Sequence, residues 1–115
     1  VGRFTLARAQ LDRVLALTPR DPTAHLYFGD LHRLQSQRAK DPAEKQRLAR
    51  LAIERYERAA ELDPAFAEPF RQLGFLYYQQ REPGRAREAF EKYLALRPDA
   101  PDARRIKEYL LELGS

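Results

Sequence analysis

The sequence has 115 residues, enough for one domain but too few for two ordinary ones. Hydrophobic residues make up 43% and charged residues 33%, with only five glycines, which is typical of a folded, soluble protein. The absence of cysteine excludes disulfides and thiolate chemistry. No apolar run approaches the roughly 18 residues of a membrane-spanning helix. The net charge of +4 is spread over alternating Arg and Glu, which favours solvated helix faces over a nucleic-acid-binding patch.

Prolines divide the chain into segments in which apolar residues recur every three or four positions, a spacing that predicts helices. β-branched residues are too few to pack a sheet. The third segment has a clear helix start, with Asp41 as N-cap, Pro42 at the first helical position and Glu44 three residues after the cap. The six predicted helices cover residues 3–18, 22–38, 41–62, 66–80, 84–96 and 101–113.

Three of these helices end in the same pattern: a small residue, a large one four positions later and a proline eight positions after that. The three sets are Ala7, Leu11 and Pro19; Ala52, Tyr56 and Pro64; and Ala86, Phe90 and Pro98. The last two prolines are 34 positions apart. With this period and the Leu73-Gly74 pair of the preceding helix, the sequence resembles the tetratricopeptide repeat family.

The resemblance implies an all-α fold, a right-handed α-solenoid of antiparallel helix hairpins with about six helices. Phe28-Gly29 corresponds to Leu73-Gly74, but Pro19 and Pro64 are 45 positions apart, eleven more than the regular period. We therefore expect one domain whose first complete hairpin is lengthened, with its tip near Lys40-Asp41. Its parts are the second half of a truncated repeat (1–21), the lengthened repeat (22–66), a regular repeat (67–100) and a C-terminal capping helix (101–115).

The first segment resembles the second half of a repeat whose partner helix precedes Val1. We expect the apolar face of residues 4–17 to be partly uncovered. Self-association of two copies through this truncated N-terminal face is one predicted consequence.

No catalytic arrangement is evident. Ser36 and Ser115 lie near neither a histidine nor a Gly-rich turn, so a nucleophile with its base is unsupported. His25 and His32 are seven positions apart, not the four of a helical metal-binding pair, and we interpret both as helix-packing residues. The sequence predicts no catalytic residue, metal or cofactor, and therefore a protein that is not an enzyme.

In the tetratricopeptide repeat family, the first helix of each hairpin lines a groove that accepts peptides or helices. Phe75 and Tyr78 are the most informative residues at these positions, because they are large and apolar although the repeat pattern does not require them. The alternative interpretation is that they shield neighbouring hairpins. The groove residues that the resemblance implies are Tyr27, Asp30, Arg33, Arg71, Gln72, Phe75, Tyr78, Arg105 and Tyr109.

Family members that bind the C-terminal carboxylate of chaperone tails use Lys, Asn and Arg in this groove. The corresponding residues of this chain are Leu26, Asp30, Glu68, Gln72, Asp102 and Ile106. Because these positions hold no cation, we do not expect binding of a chaperone tail.

The tip of the lengthened hairpin is a second candidate surface. It is strongly polar, and its cations could form a partner-specific arm or simply a solvated protrusion. The predicted tip residues are Arg38, Lys40, Lys45 and Arg47.

These observations predict a protein–protein interaction scaffold that binds a peptide or helix of another protein in the groove. The alternative is a structural segment of a longer array that assembles or spaces a complex. Nucleic-acid binding is the least favoured hypothesis, and no membrane insertion is expected.

Overall fold

Six α-helices make up the part of the chain that the computed structural model describes, residues 2–114. Val1 and Ser115, which end the predicted first and last segments, lie outside the described residues, as does the side chain of Arg3. Residues 2–114 contain no β-strand, so the predicted all-α fold class is confirmed. The helices are α1 (Gly2–Leu17), α2 (Pro22–Arg38), α3 (Pro42–Leu62), α4 (Ala67–Gln79), α5 (Pro83–Leu96) and α6 (Ala103–Gly114).

Aspartate caps followed by proline define the starts of α2 and α3. The Asp21 carboxylate accepts a hydrogen bond of 2.9 Å from the Thr23 N–H, and the Asp41 carboxylate accepts one of 3.3 Å from the Glu44 N–H. Each cap satisfies a backbone donor that has no partner inside the helix. The proline that follows each cap has no N–H to leave unsatisfied, so both helices begin sharply.

The chain forms two compact units, residues 1–63 and 64–115. In the first unit, α2 and α3 form a closely packed hairpin, and α1 packs against α2. In the second unit, α4 and α5 form the hairpin, and α6 packs against α5. Each unit therefore consists of one complete hairpin with one additional helix.

A glycine on the first helix of each hairpin contacts an aromatic ring on the second helix. A Cβ atom added to Gly29 would lie 2.6 Å from Cε1 of Tyr56, and one added to Gly74 would clash with the ring of Phe90. Both rings are fully buried. The two helices can approach this closely only because the glycine has no side chain.

The first hairpin is longer than the second by eleven residues, and all of them lie within helices. α2 has 17 residues against 13 in α4, and α3 has 21 against 14 in α5. Both connections, residues 39–41 and 80–82, have three residues. Because α2 and α4 each begin seven residues before their glycine, the additional turns lie next to the connection.

α1 is the least covered helix. Its residues Phe4, Ala7, Leu11 and Leu15 form a half-buried stripe, and none of its described side chains is fully buried. Leu6 is 68% exposed and Leu17 84% exposed.

Arg81 is a non-glycine residue in the left-handed conformation, with φ of 59°. It follows α4, where the Arg81 N–H donates to the Tyr78 carbonyl and the Glu82 N–H donates to the Tyr77 carbonyl. This pair of bonds is the Schellman motif, in which glycine usually occupies the left-handed position. The hydrogen bonds therefore hold Arg81 in a conformation that disfavours its side chain.

We predict that Gly74→Ala lowers the free energy of unfolding by about 1–3 kcal/mol, because the added methyl group overlaps the Phe90 ring. Gly84→Ala is the matched control, since a Cβ atom there meets nothing within 4 Å. In α5 the control should stabilise the protein by up to about 1 kcal/mol through helix propensity. Urea unfolding followed by circular dichroism measures both, and equal effects of the two substitutions would contradict the packing role of Gly74.

We predict that Arg81→Gly raises the free energy of unfolding by about 0.5–1 kcal/mol. Glycine adopts the left-handed conformation without steric cost, and the exposed Arg81 side chain lies at the surface. Arg104→Gly, at an exposed position inside α6, should instead destabilise the protein by about 1 kcal/mol. Stabilisation by both substitutions, or by neither, would contradict this interpretation of Arg81.

Candidate protein-binding surfaces

The first candidate surface, called here the α1–α2 cleft, lies within the first unit. It has a volume of about 450 Å³ and is lined mainly by apolar side chains of the two helices. Tyr27 is 54% exposed and Leu34 41% exposed at its α2 wall, and Val14 lies across from them on α1. Leu31 forms part of the buried floor. Two of the predicted groove residues, Tyr27 and Asp30, line this cleft.

Asp30 and Arg33, the charged groove residues of α2, bind each other and a core residue. The Tyr56 hydroxyl donates to Asp30 Oδ1 over 2.5 Å, and Arg33 Nε donates to the Tyr56 hydroxyl over 3.1 Å. Arg33 also forms an ion pair of 3.6 Å with Asp30. Burial, reinforced by the hydrogen bond to Asp30, raises the pKa of Tyr56 well above its ordinary value. The hydroxyl therefore remains a hydrogen-bond donor throughout the physiological pH range.

The second candidate surface, called here the aromatic cluster, lies in the second unit where α4, α5 and α6 meet. The ring of Tyr109 lies 5.6 Å from that of Phe75 and 5.5 Å from that of Tyr78, both edge to face. Phe75 also packs edge to face on Phe90 at 5.1 Å. Phe75 is half-buried, whereas Tyr78 is 39% exposed and its hydroxyl lies 3.3 Å from Glu112 Oε2. Within this unit, Phe75 thus contributes to helix packing and Tyr78 lies at the edge of the cluster.

Arg71, the charged groove residue of α4, is bound to Asp102 at the turn before α6. Arg71 Nε donates to Asp102 Oδ2 over 2.6 Å, and the Tyr93 hydroxyl donates to Asp102 Oδ1 over 2.8 Å. Burial alone would raise the pKa of Asp102, but these two hydrogen bonds outweigh it and hold the pKa below its ordinary value. The Asp102 carboxylate therefore connects α4, α5 and the start of α6, which begins at Ala103, two residues after Pro101.

The remaining groove residues differ in their surroundings. The Gln72 amide donates to Glu68 one turn earlier on α4, at 3.0 Å. Arg105 is exposed on α6. The structure thus brings Tyr27, Asp30 and Arg33 together in the first unit, and it brings the other predicted groove residues together in the second.

Sequence reasoning missed Tyr56 and Tyr93, whose hydroxyls hold the charged groove residues. The repeat pattern assigns both positions to the core, where a phenylalanine or a smaller residue would suffice. A tyrosine at such a position is the available signal, because a buried hydroxyl needs a hydrogen-bond partner.

The predicted hairpin-tip cations are only partly free for a partner. Lys45 Nζ donates to the carbonyls of Ser36 and Gln37 over 3.0 and 3.3 Å, so it caps the C-terminal end of α2. Arg47 binds Glu44 one turn away. Arg38 lies 5.7 Å from the ring centre of Phe4, and Lys40 is exposed in the connection. Lys45 therefore has a clear structural function, whereas Lys40 is the tip cation best placed to contact a partner.

The two histidines are buried packing residues of α2. His25 Nε2 lies 3.0 Å from the Pro19 carbonyl, and its Nδ1 lies 3.2 Å from Arg55 Nη1. This arrangement fits a neutral ring that donates through Nε2 and accepts through Nδ1. His32 stacks on Phe28 at 5.7 Å. No group of three or more His, Asp or Glu side chains suited to a metal ion occurs within residues 2–114.

Across the described helices, none is both long enough and apolar enough to span a membrane.

Comparison with protein families gives two matches, both described as tetratricopeptide repeat. One covers residues 40–110, which is more than half of the chain, and the other covers residues 1–44. No curated protein matches the sequence significantly.

Among solved structures, the chain is similar to a thermophilic tetratricopeptide repeat protein of Thermus thermophilus. The TM-score is 0.72 at 22% sequence identity, over 96% of this chain and 57% of that one. At this identity the similarity establishes the fold. The chain spans little more than half of the length of that protein.

We predict that Asp102→Asn destabilises the protein at pH 7 by about 1–3 kcal/mol, because it weakens charge-assisted bonds to Arg71 and Tyr93. A carboxyl group whose pKa is lowered by folding stabilises the protein above the unfolded value near 4, and that contribution is lost as the pH falls through the folded value. The difference between wild type and variant should therefore shrink below about pH 4.

Urea unfolding at several pH values measures this difference. Glu91→Gln, at an exposed position of α5, is the control and should have little effect at any of them. A difference for Asp102→Asn that stays constant from pH 7 to the acid limit would show that the Asp102 charge does not stabilise the fold.

Proposed function

The chain belongs to the tetratricopeptide repeat family, and from this membership we propose that it binds a peptide or helical segment of a partner protein. The α1–α2 cleft is the main contact surface in the proposal, and the exposed edge of the aromatic cluster is a second one. Family membership and fold support a protein-interaction repeat module in general. The assignment to these two surfaces rests on their exposed apolar side chains.

The observation that carries the proposal is the exposure of large apolar side chains around the α1–α2 cleft. Tyr27 and Leu34 are each more than two fifths exposed, and Val14 is 40% exposed. Contiguous exposed apolar surface marks interaction sites in folded proteins. Tyrosine is suited to such a contact because it covers a large area and loses little conformational entropy on binding.

The charged groups near the cleft make a different contribution. Asp30 and Arg33 are bound to each other and to Tyr56, so a partner that used either charge would have to replace an existing hydrogen bond. We therefore expect apolar contact and shape to dominate affinity for this cleft. The affinity should depend only weakly on salt, since few new ion pairs form.

In the second unit, Tyr78 is the better contact residue of the two that the sequence singled out. Phe75 packs against both Phe90 and Tyr109, so truncating it would disturb the packing of three helices as well as any binding surface. Tyr78 lies at the edge of the cluster and is more exposed. Substitution of Tyr78 therefore tests binding with less effect on the fold.

The exposed side chains of α1 favour one alternative, association between copies of this chain. Leu6 and Leu17 lie outside the α1–α2 cleft and are the most exposed leucines of that helix. In this alternative, the chain assembles or spaces a larger complex and the cleft is not used for a partner peptide. The two functions differ in whether binding depends on Tyr27 or on Leu6.

The test starts from peptides selected by display of a random library on the immobilised protein. We predict that Tyr27→Ala weakens the selected peptides at least about tenfold, as expected for an aromatic anchor, while Leu6→Ala changes their affinity little. Fluorescence anisotropy measures the affinities, and sedimentation measures the oligomeric state of each variant. Affinities that survive Tyr27→Ala, or a monomer–dimer equilibrium abolished by Leu6→Ala without any peptide binding, would contradict the proposal.

A further inference from the structure

A second depression in the first unit lies between α1 and α3, separate from the α1–α2 cleft. Two cavities of about 380 and 330 Å³ share Arg8 of α1, His32 of α2 and Leu51 of α3, so they form one continuous depression, called here the α1–α3 trough. Its floor is formed by α2. Along α3 it extends from Glu44 to Arg58, about 20 Å at the helical rise of 1.5 Å per residue.

Arginine dominates the walls of the trough. Five arginines line it, against three carboxylates, those of Asp12, Glu44 and Glu54. The arginines are Arg8, Arg38, Arg47, Arg55 and Arg58. With its histidines neutral, the trough therefore has a net positive charge, although it also contains carboxylates.

Arg55 occupies the centre of one half of the trough. Its guanidinium lies 4.3 Å from the ring centre of Phe28 and binds Nδ1 of His25. Stacking on Phe28 fixes the plane of the guanidinium, which reduces the entropy lost when it binds a carboxylate.

His32 gives an independent indication of the positive field in the trough. Burial lowers the pKa of His32 below its ordinary value; a hydrogen bond with Gln35 opposes this, and the charges of Arg55, Arg8 and Arg47 lower it further. These arginines come from α1 and α3, so cations on both walls act on the same point of the floor.

The ion pairs already present are weak enough to be exchanged. Arg8 lies 3.9 Å from Asp12 and Arg58 lies 3.4 Å from Glu61, and all four side chains are largely solvent-exposed. Exposed pairs of this kind contribute about 0–1 kcal/mol each. A partner's carboxylates can therefore replace them at little cost.

We propose that the α1–α3 trough binds an acidic, extended segment of a partner protein. A trough of about 20 Å accommodates about six extended residues at 3.3 Å each. Carboxylates spaced along such a segment can bind the separated arginines while avoiding the trough's own Asp12, Glu44 and Glu54. A nucleic-acid strand carries a phosphate at every nucleotide, and those three carboxylates disfavour it.

An octaglutamate peptide is the probe for this proposal. In a nitrogen-15 NMR titration at low ionic strength, it should shift the resonances of His25, Phe28 and His32. The double variant Arg8→Gln with Arg58→Gln should bind the peptide about tenfold more weakly, the combined effect of two partly exposed ion pairs. Both side chains are exposed, so the fold should be retained.

The matched control is Arg13→Gln with Arg50→Gln, which removes one exposed arginine from each of the same two helices and the same net charge. It should keep the affinity within about twofold. Tyr27→Ala should also leave octaglutamate binding unchanged, so failure of this proposal is distinguishable from failure of the α1–α2 cleft.

Three results would overturn the proposal. The first is an equal loss of affinity in the control variant, which would indicate attraction to the net charge alone. The second is shifts confined to α4–α6, or none at all. The third is tighter binding of octathymidylate or inorganic phosphate to the trough, which would assign it to a different class of anion.

Discussion

The contact between a glycine and an aromatic ring is the constraint on which each hairpin depends. At Gly29 and Gly74 the backbone of the first helix lies directly against the buried ring of Tyr56 or Phe90. Any side chain at the glycine would separate the two helices and open the core between them. The close approach also sets the distance from the second helix to the exposed face of the first.

Because Tyr56 reaches past the glycine, its hydroxyl emerges on the side of α2 that carries Asp30 and Arg33. A core side chain thereby fixes two charged surface side chains. In the second unit Tyr93 has a similar relation to Asp102, which Arg71 also binds. In both units the charges near the candidate surfaces are neutralised internally, and the exposed tyrosines are the groups left for a partner.

The six helices and the lengthened hairpin follow from the sequence because prolines, caps and helical periodicity are local signals. The positions of Gly29 and Gly74 were equally readable, since the repeat pattern marks them. The hydrogen bonds of Tyr56 and Tyr93 were not, because they join residues on different helices and depend on side-chain direction. Phe75 shows the same limit: its spacing suggested a contact residue, whereas its packing on Phe90 and Tyr109 depends on where α6 lies. Arg81 gave no sequence signal, since arginine rarely adopts its left-handed conformation.

The central functional claim is that a partner segment lies in the α1–α2 cleft and contacts the exposed face of α2. Intermolecular nuclear Overhauser effects between the protein and a display-selected peptide test this most directly. The account predicts contacts from the peptide to the ring of Tyr27 and the methyl groups of Leu34. Contacts from such a peptide only to residues outside the cleft, with none to Tyr27 or Leu34, would contradict it.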